Sequence, residues 1–258
     1  MRPTLLLSDL HLAPEHAAAV AAFHAFARGP AREAAAVYIL GDLFDAWIGD
    51  DQRGEPFARA IADALRGISS AGVPLFIARG NRDFLLGQDF AKTVGATLLP
   101  EQTLVELGGT KTLLSHGDEF CTDDVSYQRY RAWSRDPRKQ ARLLKLPYRV
   151  RHLIGAWLRR RSRAATSRKP DAILDVNATA IEQAFRRAGV MRMIHGHTHR
   201  PARHSMTVDG SARERIVLAD WHERGTFLEV DADGARTREI AVDARGPREA
   251  YDPARTAP

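Results

Sequence analysis

Short apolar runs alternate with longer stretches of helical spacing through the first hundred residues. TLLLS (4–8) is followed by an Ala-rich segment, 14–28, in which Val20, Phe23 and Phe26 recur at three-residue intervals. AVYIL (36–40) precedes a second helical stretch, 56–70, and VPLFIA (73–78) precedes a third, around 87–94. Brief apolar runs bounded by turn residues read as buried strands, and apolar positions every three or four residues as one face of a helix. Farther on, TLVEL (103–107), KTLLS (111–115), MRMI (191–194), IVLAD (216–220) and TFLEV (226–230) also read as strands. A βαβαβ opening followed by hairpin-like β pairs predicts an α/β (α+β) fold, a mixed sheet or sandwich with helices outside.

Five of these runs lead into a residue that can do chemistry: Asp9, Asp42, Asn81, His116, and His197 within His195-Gly196-His197. In layered α/β proteins ligands gather at the carboxyl ends of strands, so these distant positions are expected to meet at one sheet edge. Asp9-x-His11 and His197-x-His199 each place two side chains on the same side of an extended chain. Asp9, His11, Asp42, Asn81, His116, His197 and His199 are carboxylate, amide and imidazole donors with no thiolate among them. That set suits Mn²⁺, Fe²⁺ or Zn²⁺ and not a cysteine-built structural zinc. Seven donors exceed the needs of one four- to six-coordinate ion, and suffice for two if one carboxylate bridges. Each motif alone has a plainer reading: GDLFD as a turn, DLHL as a strand end with a helix cap, His116 as a satisfied core histidine. His16, His24 and His152 read as surface residues, His204 and His222 are unassigned, and His195 supports its glycine turn at most.

The segment between HGDEF and MRMI breaks the rhythm. It is helical in pattern, and its apolar stripe is Val150, Leu153, Ile154, Trp157 and Leu158, with Arg149, Arg151 and Arg159 to Arg161 on other faces. Residues 129–169 hold fifteen Arg or Lys against one acid, Asp136, a charge of +14 within a chain of net +6, so the remainder is acidic. Such asymmetry fits an anionic partner: a phosphate group, an anionic lipid surface or nucleic acid. Tyr127, Tyr130, Trp133, Tyr148 and Trp157 are too few and too clustered to interleave as base-stacking platforms, so no nucleic acid is expected. Residues 124–170 thus read as a basic helical insertion, or lid, in a single domain spanning 1–242; the Pro- and Arg-rich 243–258 reads as a frayed tail.

Composition adds little to this picture. The chain has 258 residues, 44% apolar and 27% charged, as in an ordinary soluble domain. Its single cysteine, Cys121, precludes an internal disulfide and fits a reducing compartment. The apolar run at the N-terminus is too short for a signal peptide, and no uncharged stretch approaches the roughly 20 residues of a membrane span. The protein is therefore expected to be cytosolic or peripheral to a membrane.

SDLHL, GDLFD, GNRD, HGD and HGHTH, in this order between residues 8 and 199, resemble the five motifs of the calcineurin-like metallophosphoesterases. The resemblance implies two mixed β-sheets flanked by helices and a two-metal centre. One ion would take Asp9, His11, Asp42 and His199, the other Asp42, Asn81, His116 and His197, with Asp42 bridging and a metal-activated hydroxide attacking phosphorus. Most of that family has histidine where this chain has Arg82 in GNRDFL. A histidine there can protonate an alkoxide leaving group, whereas arginine stays protonated and cannot. A phosphate leaving group, with a second pKa of about 6, needs no proton. Arg82 thus trades a proton donor for a fixed fork that binds phosphate oxygens bidentately, which points to a P–O–P bond. Asp83 is expected to orient the turn.

The longer motifs YILGDLFDAWIGDD, GNRDFLLG, HGDEFCTDD and IHGHTHRPARH resemble the family of UDP-2,3-diacylglucosamine diphosphatases of Gram-negative lipid A biosynthesis, from Leu5 to about Val230. That resemblance implies two Mn²⁺ per chain, a UDP-2,3-diacylglucosamine substrate and residence at the cytoplasmic face of the inner membrane. It carries the catalytic role onto Asp42, Arg82 and His116, and substrate binding onto Asn81, Arg82, Asp124, Ser162, Thr166, Lys169 and His197. Thr166 stands where that family usually has Asn, and Asp45 where Glu is common. Other readings stay open: a different metallophosphoesterase acting on a nucleotide pyrophosphate, or a nuclease using the Arg-rich segment. For Ser162 and Lys169, a solvated basic helix is an equal alternative.

Overall fold

The computed structural model describes residues 2–166, 171–221 and 225–240, and between 161 and 172 only the backbone. In chain order it begins β1 (Thr4–Leu7), α1 (Ala17–Arg28), β2 (Ala36–Leu40), α2 (Pro56–Ser69), β3 (Leu75–Ala78), α3 (Gln88–Val94) and β4 (Ala96–Leu98). Next come β5 (Gln102–Leu107), β6 (Thr110–Ser115), and the helices α4 (Val125–Ser134), α5 (Pro137–Leu144), α6 (Tyr148–Thr166) and α7 (Ala178–Ala188). The described chain ends with β7 (Arg192–His195), β8 (Ala202–Val208), β9 (Ser211–Val217), β10 (Thr226–Asp231) and β11 (Gly234–Glu239).

Two mixed sheets form. One runs β11-β10-β1-β2-β3-β4, with β1 to β4 parallel and β10 antiparallel to β1. The other runs β5-β6-β7-β9-β8, with β6, β7 and β9 parallel. Successive side chains of a strand point to opposite faces, and the core sorts accordingly. Leu5 and Leu7 of β1 join Val37 and Ile39 of β2 in the cluster under α1, α2 and α3. Leu6, Tyr38 and Leu40 turn the other way and meet Leu114, Ile194 and Ile216 of the second sheet. Leu113 and Met193 face outward from that sheet onto Ile181, Ala184 and Phe185 of α7. The layers are therefore helix, sheet, sheet, helix. Each fully buried Leu, Ile or Phe contributes about 1.5–3 kcal/mol of transfer free energy.

The expected helices and apolar strands are present within a few residues of their anticipated bounds. Three strands carried no apolar signal: β4, β8 and β11. All three are sheet edges. An edge strand is held mainly by its ladder, as in the seven paired positions of β8 with β9, and its exposed face stays polar. The region between β6 and β7 contains no strand among the described residues. Its last helix, α7, packs on the second sheet, while α4 to α6 line one cavity together with the metal-type residues and the loop after β2. The expected tail, 243–258, lies outside the described residues.

Candidate functional site

The carboxyl ends of β1, β2, β3, β6 and β7 bring five segments together. Pairing continues past the strands: Asp9 N donates to Gly41 O at 3.1 Å and His11 N to Asp42 O at 2.9 Å, while Gly196 N donates to His116 O at 2.9 Å. Trp221 N donates to Asp9 O at 3.1 Å and its ring packs edge-on against Phe26, bracing the first turn from the helical layer. Asp9, His11, Asp42, His197 and His199 have φ of 54°, 46°, 53°, 70° and 53°. Left-handed backbone is uncommon outside glycine and costs of order 1–3 kcal/mol where side chains crowd it. Among the described residues only one other non-glycine residue, Asp209, has positive φ, so this strain marks the site. Close approach requires glycine at two points: a methyl on Gly80 would fall on Asp42 Oδ1, and one on Gly196 on Asp9 Oδ2.

The donor atoms form two adjoining groups. His11 Nε2 and His199 Nε2 lie 3.2 Å apart, with Asp9 Oδ1 at 3.9 Å from the first and 3.4 Å from the second. On the other side, His116 Nε2 is 3.0 Å from Asn81 Oδ1, and the His197 ring stands edge-on to His116 with centroids 5.0 Å apart. Asp42 Oδ2 lies 3.8 Å from His11 Nε2 and 3.9 Å from His116 Nε2, equidistant between the groups. A bridging ligand would occupy that position, since donors about 2.0–2.2 Å from one ion are separated by distances of this size.

These groups fit divalent metal ions. Asp9 Oδ1 is buried without a hydrogen-bond partner, and two ring nitrogens converge beside it. Burial pushes Asp9 up, but the His199 ring nitrogen 3.4 Å from Oδ1 and the His116 and His11 imidazoles hold it below the usual carboxylate range. Burial pushes Asp42 up to about 7, with the Asp83 and Asp9 carboxylates adding to it. Burial lowers His197 to about 3, helped by His116, and lowers His11 to about 3 against the pull of Asp9. Against burial, the Asp42 and Asp9 carboxylates push His116 up to about 9, and Asp9 and Asp220 raise His199; so dense a buried set of carboxylates and imidazoles is what a dication stabilises, displacing those protons.

Further contacts fix the donors. His116 Nδ1 lies 2.9 Å from Leu40 O, which leaves Nε2 for an ion. Ser8 Oγ and His197 N donate to Asp9 Oδ2 at 2.7 and 2.8 Å. Asp83 accepts from Gly80 N (2.7 Å), Leu43 N (2.8 Å) and Asp42 N (3.3 Å), so it orients the turn as expected and ties it to the Asp42 segment as well. Asp42 Oδ1 reciprocates, accepting from Arg82 N at 2.7 Å.

A cavity of about 790 Å³ opens on this centre, lined at one end by His11, Asp42, Asn81, Arg82 and His197. Its apolar lining comes from Trp47, Ile48 and Phe84 of the body and from Tyr130, Ile154 and Leu158 of the insertion. The apolar stripe of α6 therefore divides. Ile154 and Leu158 are half-buried at the cavity, while Leu153 is 70% exposed and Val150 40%. Asp124 lines the cavity and also caps α4, accepting from Tyr127 N at 3.0 Å. The side chains of Ser162 and Thr166, and Lys169 altogether, lie outside the described residues, as does His222.

Several sequence expectations are corrected. Arg151, placed off the apolar stripe with no partner foreseen, is 6% exposed and bonds Ile48 O and both carboxylate oxygens of Asp51. Arg159 pairs with the buried Asp45 at 3.2 Å. His16 is half-buried, with Nδ1 2.8 Å from His11 O, and His24 is half-buried too. His195 is fully buried between Gly196 O and Arg215, which fixes Nδ1 as the protonated nitrogen because arginine can only donate. Two contributors were missed. Asp220 Oδ2 lies 3.3 Å from His199 Nδ1, and the rule that flagged other strand ends would have flagged it at the end of IVLAD. Tyr127, whose ring lies 5.5 Å from that of His197, gave no signal.

The model of the calcineurin-like phosphoesterase family matches residues 2–201. Three proteins bearing the name UDP-2,3-diacylglucosamine hydrolase are similar over almost their whole length. That of Pseudomonas paraeruginosa is 47% identical over 232 residues, 90% of this chain and 96% of its own. That of Cellvibrio japonicus is 46% identical over 235 residues, covering 91% and 98%, and that of Escherichia fergusonii 47% over 230, covering 89% and 95%.

Proposed function

The chain belongs to the calcineurin-like phosphoesterase family, and we propose that it hydrolyses the pyrophosphate bond of UDP-2,3-diacylglucosamine to 2,3-diacylglucosamine 1-phosphate and UMP, a step of lipid A biosynthesis. The observation that carries this reading is one cavity joining the donor cluster and Arg82 to apolar walls supplied by the insertion. A substrate with a pyrophosphate head and acyl chains needs both. The enzyme is a hydrolase with a divalent-metal cofactor. We assign two Mn²⁺, one at Asp9, His11, Asp42 and His199 and the other at Asp42, Asn81, His116 and His197.

Bound divalent ions supply Lewis acidity to the phosphoryl oxygens and acidify the attacking water. Asp42 holds both halves of the donor set in register. Arg82 offers its guanidinium to the phosphate oxygens, fixing the pyrophosphate against the donors. Water adds at phosphorus, the bond to the bridging oxygen breaks, and the phosphate that departs carries its own charge without a proton from the protein. Tyr130, Ile154 and Leu158 take the acyl part and exclude water from it.

Membrane residence is proposed on a further observation. Leu144, Leu146, Val150, Leu153 and Trp157 are exposed on α5 and α6 and the turn between them, on a segment rich in Lys and Arg. That combination suits the anionic cytoplasmic face of the inner membrane. Among the described residues no helix is long and apolar enough to cross a membrane.

The direct test is UMP release from UDP-2,3-diacylglucosamine during Mn²⁺ titration of purified, metal-stripped protein. Saturable, metal-dependent release is expected; an intact lipid substrate beside efficient cleavage of DNA or p-nitrophenyl phosphate would refute the assignment. Arg82→His is expected to lower kcat/KM for that substrate about 10- to 100-fold, the value of a charge-assisted bidentate contact, with bound Mn²⁺ unchanged. A parallel loss of metal would instead make Arg82 a support of the turn.

A further inference from the structure

One wall of the cavity is gripped at its centre by a buried carboxylate. Asp118, two residues past His116, is 1% exposed and opens the short helical turn that follows Gly117. Its Oδ2 accepts from Tyr127 Oη at 2.9 Å and from Arg131 Nε at 3.0 Å, with Arg135 Nη2 at 3.6 Å. Tyr127 and Arg131 belong to α4, Arg135 follows its last turn, and the three recur every four residues on one face. Gln128 adds to the grip, donating to Asp118 O and Cys121 O at 3.0 Å each. Arg131 and Arg135 also reach Glu101, so two cations and two anions are closed into one network.

What this network holds faces the site. The Tyr127 ring lies 5.5 Å from that of His197, and behind it Tyr130 and Trp133 stack at 6.1 Å along the cavity wall. We propose that Asp118 is a positioning residue for the reaction: by gripping α4 it sets Tyr127 against His197 and holds the Tyr130–Trp133 wall where the acyl part of the substrate binds. This rests on the functional reading above. Asp118 touches neither the donor atoms nor the substrate; it acts through α4. The energetic logic is that of an outer support, whose loss leaves the reacting groups present but loosens what presents the substrate to them.

The test compares Asp118→Asn and the milder Tyr127→Phe, which keeps the ring and cuts one tie. Asp118→Asn is expected to raise KM for UDP-2,3-diacylglucosamine about tenfold, with kcat within about threefold and bound Mn²⁺ unchanged. Tyr127→Phe should move KM the same way by less. In metal-free protein, α4 amides should exchange hydrogen faster in Asp118→Asn while those of α7 do not change. Unaltered KM in both variants with faster α4 exchange would reduce Asp118 to a structural tie and overturn the proposal. So would loss of Mn²⁺ at constant KM, which would place its action on His116, or unchanged α4 exchange. A wild-type protein that releases no UMP overturns the functional reading itself, whereas variants differing from an active wild type only in melting temperature overturn this proposal alone.

Discussion

Asp42→Ala is expected to reduce UMP release by at least about 10³-fold and to lower bound Mn²⁺ at both proposed positions, because one carboxylate oxygen lies between the two donor groups. Asp42 Oδ2 sits 3.8 Å from His11 Nε2 and 3.9 Å from His116 Nε2. The metal-free fold should not suffer in proportion. Burial and the neighbouring Asp83 and Asp9 carboxylates push Asp42 up to about 7, so its charge opposes folding in the absence of metal. The signature is therefore a variant that melts near wild type without metal, gains little stability from Mn²⁺ and turns over poorly. Near-normal turnover with full metal content would refute a bridging role.

The second large effect falls on stability. Asp83→Ala removes the acceptor of three backbone N–H groups, those of Gly80, Leu43 and Asp42, at a fully buried point. Stranding buried donors costs about 3–5 kcal/mol in such networks, which for a chain of this size lowers the melting temperature by roughly 10 °C. Asp83→Asn, keeping one acceptor oxygen, should fall between. Mn²⁺ affinity should drop about 10- to 100-fold as well, since the same carboxylate joins the turn of Asn81 to that of Asp42. A melting temperature within about 2 °C of wild type, measured by calorimetry, would show that water or backbone rearrangement satisfies those donors.

What could be read from the sequence follows from what leaves a local trace. Strands buried on both faces, such as β1 with Leu5, Leu6 and Leu7 in succession and β2 with Val37 to Leu40, are nearly continuous in apolar residues and were legible. So was the meeting of Asp9, His11, Asp42, Asn81, His116, His197 and His199, because a catalytic type at the end of a strand is a local pattern. Edge strands β8 and β11 were not legible, since their stability comes from a ladder with a distant partner and their side chains are mostly exposed. The buried ion pair of Arg151 was not legible because nothing nearby in sequence shows that Asp51, a hundred positions earlier, meets it. Asp118 stood in plain view within HGD, yet its partners lie on a helix whose orientation only the packed structure defines. The left-handed backbone at five donor positions left no trace either, as none of them is glycine.

The way α6 is anchored bears on how this molecule could be reduced. Arg151 grips Asp51 and Ile48 O, Tyr148 bonds Glu55, and Arg159 pairs with Asp45, so the helix is moored three times to the loop after β2. Trp133 and Leu143 meanwhile pack against the core cluster beneath α1 to α3. Trimming the chain to a bare two-sheet phosphoesterase by excising α4 to α6 would therefore uncover Ile48, Phe84 and Leu85, which are 7%, 6% and 8% exposed, and leave Asp45 without its arginine. A minimal version of the enzyme would need polar replacements along that loop before the deletion could yield a soluble protein.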